Sequence, residues 1–223
     1  MTEWDKIFAD KSCPNHSDSY VEMDEFADVL SSLVTLREAL RTVEVTPTSW
    51  KWIILAAHSA LQGSCVCLLT RTDGSGALTE KAEMALRHYH DHSTQKAITE
   101  GHGGRWILPA PACPDDRVAN LPDLLRRLPT GLQIDSPKNG ANPEMQPNLD
   151  IWRLHDFRNR FTHFPSLHWS IEIAGLPRII EEALALTRRI TESSEYTQYN
   201  RFSEMDLEPI FTEIFNSLKN LKT

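Results

Sequence analysis

The chain has 223 residues, 40% of them apolar and 24% charged, and a formal net charge of −8. That length suits a single domain, 1–223, with a real core. The acidic balance excludes a general nucleic-acid coat protein, which needs a broad basic surface.

The first periodic stretch, 20–44, places Phe26, Val29, Leu30, Leu33, Leu36 and Leu40 at spacings of three and four. This predicts a helix with one apolar face, and Ser19 is the expected cap. Thr46-Pro47-Thr48-Ser49 breaks it and opens a second helix over 48–70, whose broad apolar face includes Ile53, Ile54, Ala57, Leu61 and Cys65. Its small residues permit close packing. Thr72-Asp73-Gly74-Ser75-Gly76 is a turn signal.

Residues 71–147 read as a long, partly irregular insertion. A polar helix is expected over 77–98 and a short one, LPDLLRRL, over 121–128. Gly, Pro and Asn dominate the rest. A third core helix is predicted over 148–164, with Leu154, Phe157, Phe161 and Phe164 facing inward. WSIEI (169–173) alternates and suits a short extended segment. Gly175-Leu176-Pro177 starts a fourth core helix to 193, its inner face Ile180, Ala183, Leu184, Thr187 and Ile190. An extra C-terminal helix, 205–221, carries Ile210, Phe211, Ile214, Phe215 and Leu218 on a stripe that must cover either its own core or a partner.

No run of about 18 apolar residues reads as a membrane span. MTEWDKIFADK lacks the pattern of a secretory signal. A cytoplasmic protein with no membrane contact is expected, and Cys13, Cys65, Cys67 and Cys113 then read as reduced thiols. His88 and His92, four apart, would need a third metal ligand, and His102 is the nearby candidate. A polar surface helix explains them more simply, so no metal or cofactor is expected.

The chemistry concentrates in RNRFTHF, residues 158–164. On a wheel of about 100° per residue, Arg158 lies at the edge of the apolar stripe and His155, Asn159 and Thr162 form a polar band beside it. His163 stands about 140° from Arg158 on a straight helix. The two converge only if the helix ends near Thr162, ahead of Pro165, or if two copies meet across a two-fold axis. An arginine fork binds phosphate oxygens without losing its charge, a histidine moves protons near neutral pH, and an asparagine orients either. Together these types suit RNA phosphodiester cleavage without a metal.

Arg158-Asn159-Arg160-Phe161-Thr162-His163 resembles the R-x(4–6)-H motif of the HEPN superfamily, in the form with Asn after Arg. The segment LHDFRNRFTHF…WSIEIAGLPRIIEEAL is similar to uncharacterised bacterial proteins with such a core. The resemblance implies an all-α, antiparallel four- or five-helix bundle, a homodimer, and an endoribonuclease of the toxin–antitoxin or defence kind, with RNA as substrate and an antitoxin or other protein as partner. It gives Arg158, His163 and Asn159 the catalytic roles. His155, Thr162 and His58 are auxiliary candidates. The rival readings are a non-catalytic RNA- or nucleotide-binding module of the same fold, and an interaction protein whose Arg158 and His163 merely finish a helix.

Overall fold

The computed structural model describes residues 23–101, 117–134, 149–163, 169–193 and 206–221. Among them the chain is all-α: α1 (Glu25–Thr42), a 3₁₀ turn (Pro47–Ser49), α2 (Trp50–Leu69), α3 (Glu80–Gly101), α4 (Leu121–Arg127), α5 (Leu149–His163), α6 (Leu176–Thr191) and α7 (Glu208–Asn220).

The centre is α2, against which α1, α4, α5 and α6 all pack. Ile53, Ile54, Ala57, Ala60, Leu61 and Cys65 are sealed from solvent, as are Val29, Leu33 and Leu36 of α1 and Ile180, Ala183 and Leu184 of α6. The stretch Pro47–Leu69 is long and apolar enough, by length and composition, to cross a membrane, which corrects the expectation that no such run exists. Its apolarity matches its place here, since a helix buried on most sides has little polar face to keep.

α1 begins at Glu25, later than its periodicity suggests. Asp24 holds an extended conformation and its Oδ1 accepts the Ala27 N–H at 2.8 Å, so Asp24 is the cap; Ser19 lies outside the described residues. Arg37, buried on α1, donates to Glu38 and lies 3.8 Å from Glu213 of α7, while exposed Arg41 bridges the same two carboxylates. This ion group fastens α7 to α1. The apolar stripe of α7 is used internally: Ile210, Phe211, Ile214 and Leu218 are buried, with α1 and α6 as neighbours.

The middle of the chain is partly integral. Leu121, Leu124, Leu125 and Leu128 join the main core. Asn120 caps α4 by accepting the Asp123 N–H at 2.9 Å. Residues 77–79 and 117–119 run side by side through two backbone hydrogen bonds, Thr79 N–H to Arg117 and Ala119 N–H to Ala77. Gly76, at φ +100°, must be glycine, because a Cβ there would collide with the Leu69 carbonyl. The WSIEI stretch forms no strand; its described residues, 169–173, are irregular, and Trp169 packs edge-on against Phe161 at 4.9 Å. An isolated stretch with no neighbouring strand has nowhere to place its backbone bonds in a ladder.

Gly63 sets the spacing of α1 and α2. A Cβ on it would stand 2.8 Å from Val29 Cγ2, and Val29 is fully buried with no room to yield. Gly63→Ala is expected to destabilise the fold by about 1–3 kcal/mol, the usual range for overpacking a tight core. Urea denaturation checks this; a midpoint equal to that of the parent chain would show that the α1–α2 contact is looser than described.

Candidate functional site

α5 presents three faces. Ile151 and Leu154 are buried and Phe157 and Phe161 pack against the core; Phe164 and Pro165 lie outside the described residues. Asp156 and Arg160 form the exposed pair expected at a four-residue spacing, at 3.0 Å. His155, Arg158 and Asn159 lie on a third strip, turned toward α2 and half-buried.

There they meet His58 of α2. His58 is only 3% exposed, and its Nε2 lies 3.0 Å from Nδ1 of His155. The His155 Nε2 lies 3.1 Å from Nδ2 of Asn159, and the Arg158 guanidinium donates to Oδ1 of Asn159 at 3.0 Å. The proton positions follow from one end. Arg158 has only donors, so the Asn159 oxygen must face it and the Asn159 NH₂ must face His155. The His155 Nε2 therefore accepts, its single proton sits on Nδ1, and that proton is donated to His58 Nε2. His58 in turn carries its proton on Nδ1. One cation thus fixes an amide orientation and two tautomers.

Both imidazoles are held neutral. Burial, then the Arg158 charge, then His155 lower the His58 pKa to about 3. Burial and then Arg158 lower that of His155, with Asp156 opposing. At neutral pH these two rings position other groups and do not supply protons.

The network edges a cleft of about 510 Å³. Arg158 and Thr162 line it from α5, His58, Ser59, Gln62 and Gly63 from α2, and Glu25 and Asp28 from α1. Val118 closes one side, brought there by the pairing of 77–79 with 117–119. The Thr162 hydroxyl donates to the Arg158 carbonyl at 2.8 Å. The Ser59 hydroxyl donates to Asp28 Oδ2 at 3.4 Å, and burial raises the Asp28 pKa although that hydrogen bond opposes it.

The charges in this cleft are separated. Arg153 and Arg160 are paired with Asp150 and Asp156. Among the described residues Arg158 has no carboxylate within ion-pair distance; the one hydrogen bond of its guanidinium goes to Asn159. Glu25 and Asp28, on the opposite wall, likewise have no cation partner among the described residues.

Of the residues singled out in the sequence, Arg158, Asn159, His155, Thr162 and His58 are gathered at this cleft. His163 is not among its lining residues; it is exposed at the last residue of α5 and its side chain makes no hydrogen bond with described residues. Asp28, Glu25, Ser59 and Gln62 carried no sequence signal. Cys65 and Cys67 are buried and burial raises their thiol pKa well above the ordinary range, so they are inert there. Cys13, Cys113 and His102, and the side chain of His92, lie outside the described residues.

No protein-family model, no curated protein and no solved structure matches the chain.

The buried histidine pair sets the acid sensitivity. His58 titrates near 6.5 in the unfolded chain and at about 3 in the folded one, so below pH 6.5 the unfolded state binds a proton that the folded state refuses. Its contribution to stability is whole above pH 6.5, falls as the pH drops, and is lost by about pH 3. The slope for one such proton approaches about 1.4 kcal/mol per pH unit. Urea midpoints measured from pH 7 to 4 are expected to fall, and to fall less steeply in His58→Gln. Equal slopes in the two proteins would mean that His58 accepts a proton in the folded state.

Proposed function

We propose that this chain is a metal-independent endoribonuclease of the HEPN type, acting as a cytoplasmic homodimer of helical bundles in a toxin or defence role. The observation that carries the reading is the state of Arg158. It opens on a cleft with most of its donors free of described partners, it is oriented by Asn159, and it shares α5 with the exposed His163 in the R-N-x-x-x-H spacing.

In this reading Arg158 binds the nonbridging phosphate oxygens, where its fixed fork neutralises the charge that builds in the phosphorane. Asn159 is a positioning residue, since it holds one guanidinium nitrogen and leaves the others for the phosphate. His163 removes the proton of the ribose 2′-hydroxyl; the freed oxygen attacks phosphorus and the bond to the 5′-oxygen breaks. A protonated imidazole returns a proton to that leaving oxygen. The products are a 2′,3′-cyclic phosphate and a 5′-hydroxyl. DNA lacks the attacking group. Solvent exposure suits His163 for exchange of protons, and its place at the helix end suits a site completed by a second copy.

A second reading, a non-catalytic nucleotide- or RNA-binding module, is favoured by the position of His163, which is not among the residues lining the cleft that Arg158 edges.

Incubation with single-stranded RNA in EDTA separates the two. Cleavage is expected, with 2′,3′-cyclic ends, and is expected to fall by about a hundredfold or more in Arg158→Ala and in His163→Ala while thermal stability is kept. Single-stranded DNA is expected to stay intact. Retention of RNA without cleavage would leave the binding module standing, and full activity in His163→Ala would remove the proposed proton carrier.

A further inference from the structure

The wall of the cleft formed by α2 and α5 holds a second polar feature besides the Arg158 cation. His58 is almost fully buried, yet its ring lines the cleft. Its Nε2 is taken by the Nδ1–H of His155, so its own proton sits on Nδ1, and no described residue accepts that N–H. A buried donor left without an acceptor costs on the order of a full desolvation penalty, so such a group marks a place where something else supplies the acceptor. One helical turn further, on the same face of α2, Gln62 lines the cleft with an amide that bonds no described residue.

The structure ties His58 to Arg158. Three hydrogen bonds of 3.0, 3.1 and 3.0 Å run from His58 through His155 and Asn159 to the guanidinium. The His58 ring stacks on His155 with centroids 5.3 Å apart, and Arg158 follows His155 by three residues on the same helix face. The two donors are therefore neighbours on one wall, and the Arg158 charge adds to burial in keeping His58 neutral. The carboxylates of the cleft, Glu25 and Asp28, come from α1, and Asp28 is held by the Ser59 hydroxyl.

We infer that this wall is a phosphate subsite, in which the neutral Nδ1–H of His58 and the fixed cation of Arg158 hold oxygens of one phosphodiester. Arg158 only donates, and with its tautomer fixed His58 has only a donor left to offer. A phosphodiester presents two nonbridging oxygens and no donor, so it matches both groups at once. Every nucleobase edge mixes donors and acceptors, so this pair grips the backbone and does not read sequence. A neutral second donor adds a hydrogen bond without a second charge to desolvate, which suits a buried ring beside a cation. His58 is then a binding residue that keeps its proton. The inference rests on the ribonuclease reading only for its consequence, that the phosphate held here is the one that is cut; the binding itself does not require cleavage.

The probe is a single-stranded 2′-O-methyl RNA oligonucleotide, which keeps every phosphodiester but has no free 2′-hydroxyl to attack it. Its Kd is measured by fluorescence anisotropy for the full chain, His58→Gln and His58→Asn, with thermal melting of each, and the same preparations are assayed on unmodified RNA. In His58→Gln the side-chain carbonyl takes the place of Nε2 and accepts from His155, so the network stays closed while the Nδ1 donor is lost. In His58→Asn the amide nitrogen takes the place of Nδ1. His58→Gln is expected to weaken binding about tenfold, the worth of a hydrogen bond to a charged group, and His58→Asn to recover most of that loss. Parent affinity in His58→Gln overturns the inference, as does a parent chain that does not bind the probe. A folded His58→Asn that binds as weakly as His58→Gln also overturns it, since His58 would then act only through packing. RNA cleavage by the parent together with full affinity in His58→Gln sinks the subsite and leaves the nuclease. Binding that depends on His58, without cleavage of unmodified RNA, does the reverse.

Discussion

Burial of α2 is the constraint on which the rest depends. Four helices close on it, and its solvent-free positions are filled by isoleucine, leucine, alanine and cysteine, with Ser64 as a polar exception. A helix enclosed in this way tolerates few polar side chains, and each must find its partner inside the protein. His58 is the one titratable residue buried within α2 apart from its thiols. Its burial dictates that a neighbouring helix bring a hydrogen-bonding group to the same depth, and α5 brings His155. The polar chain that follows, through Asn159 to Arg158, connects that buried ring to a charge at the cleft.

The same route works in the opposite direction. Because Arg158 cannot lose its proton, it determines which way Asn159 faces, then which nitrogen of His155 is bare, then which nitrogen of His58 carries hydrogen. Its field also opposes protonation of both rings, adding to the effect of burial. The result is a hydrogen-bonded array that orients the cation and keeps the imidazoles neutral. Orientation of Arg158 by Asn159 lowers the freedom left to lose on binding, which favours ligand affinity.

Much of this was legible in the sequence because it follows from periodicity. α6 repeats its apolar residues so regularly that Ile180, Ala183, Leu184, Thr187 and Ile190 are all buried as expected. The polar band of α5 and the Asp156–Arg160 pair follow from helical geometry alone. The start of α1 was misjudged because Ser19 and Asp24 are both good caps and periodicity does not rank them; the Asp24 carboxylate bonded to the Ala27 N–H does. Asp28 and Glu25 were invisible as site residues, since acids in a helix's first turn are explained by the helix dipole and need no other role. Only tertiary packing sets them opposite Arg158. The integration of Leu121, Leu124 and Leu125 into the main core was likewise hidden: LPDLLRRL reads as a short helix, but the irregular segments on either side give no sign that it packs inside.

Under the proposed function, the positions of Arg158 and His163 divide the labour between two chains. Five residues of α-helix separate their Cα atoms by about 7.5 Å along the axis and about 140° around it, so one straight helix does not turn both tips to one phosphate. Arg158 is half-buried and locked, whereas His163 is exposed and free of described partners. Those are the respective needs of an electrostatic clamp and of a proton carrier: the first gains from a fixed site of low dielectric, the second from contact with water. Two copies of α5 meeting about a two-fold axis would set the fixed cation of one against the exposed imidazole of the other, so the proposed chemistry and the proposed dimer stand on the same geometry. The acidic surface then has a consistent part, since a chain with net charge −8 cannot hold RNA by general attraction. Under the proposed function recognition rests on the cleft, where Arg158 is the arginine of α5 that no described carboxylate neutralises.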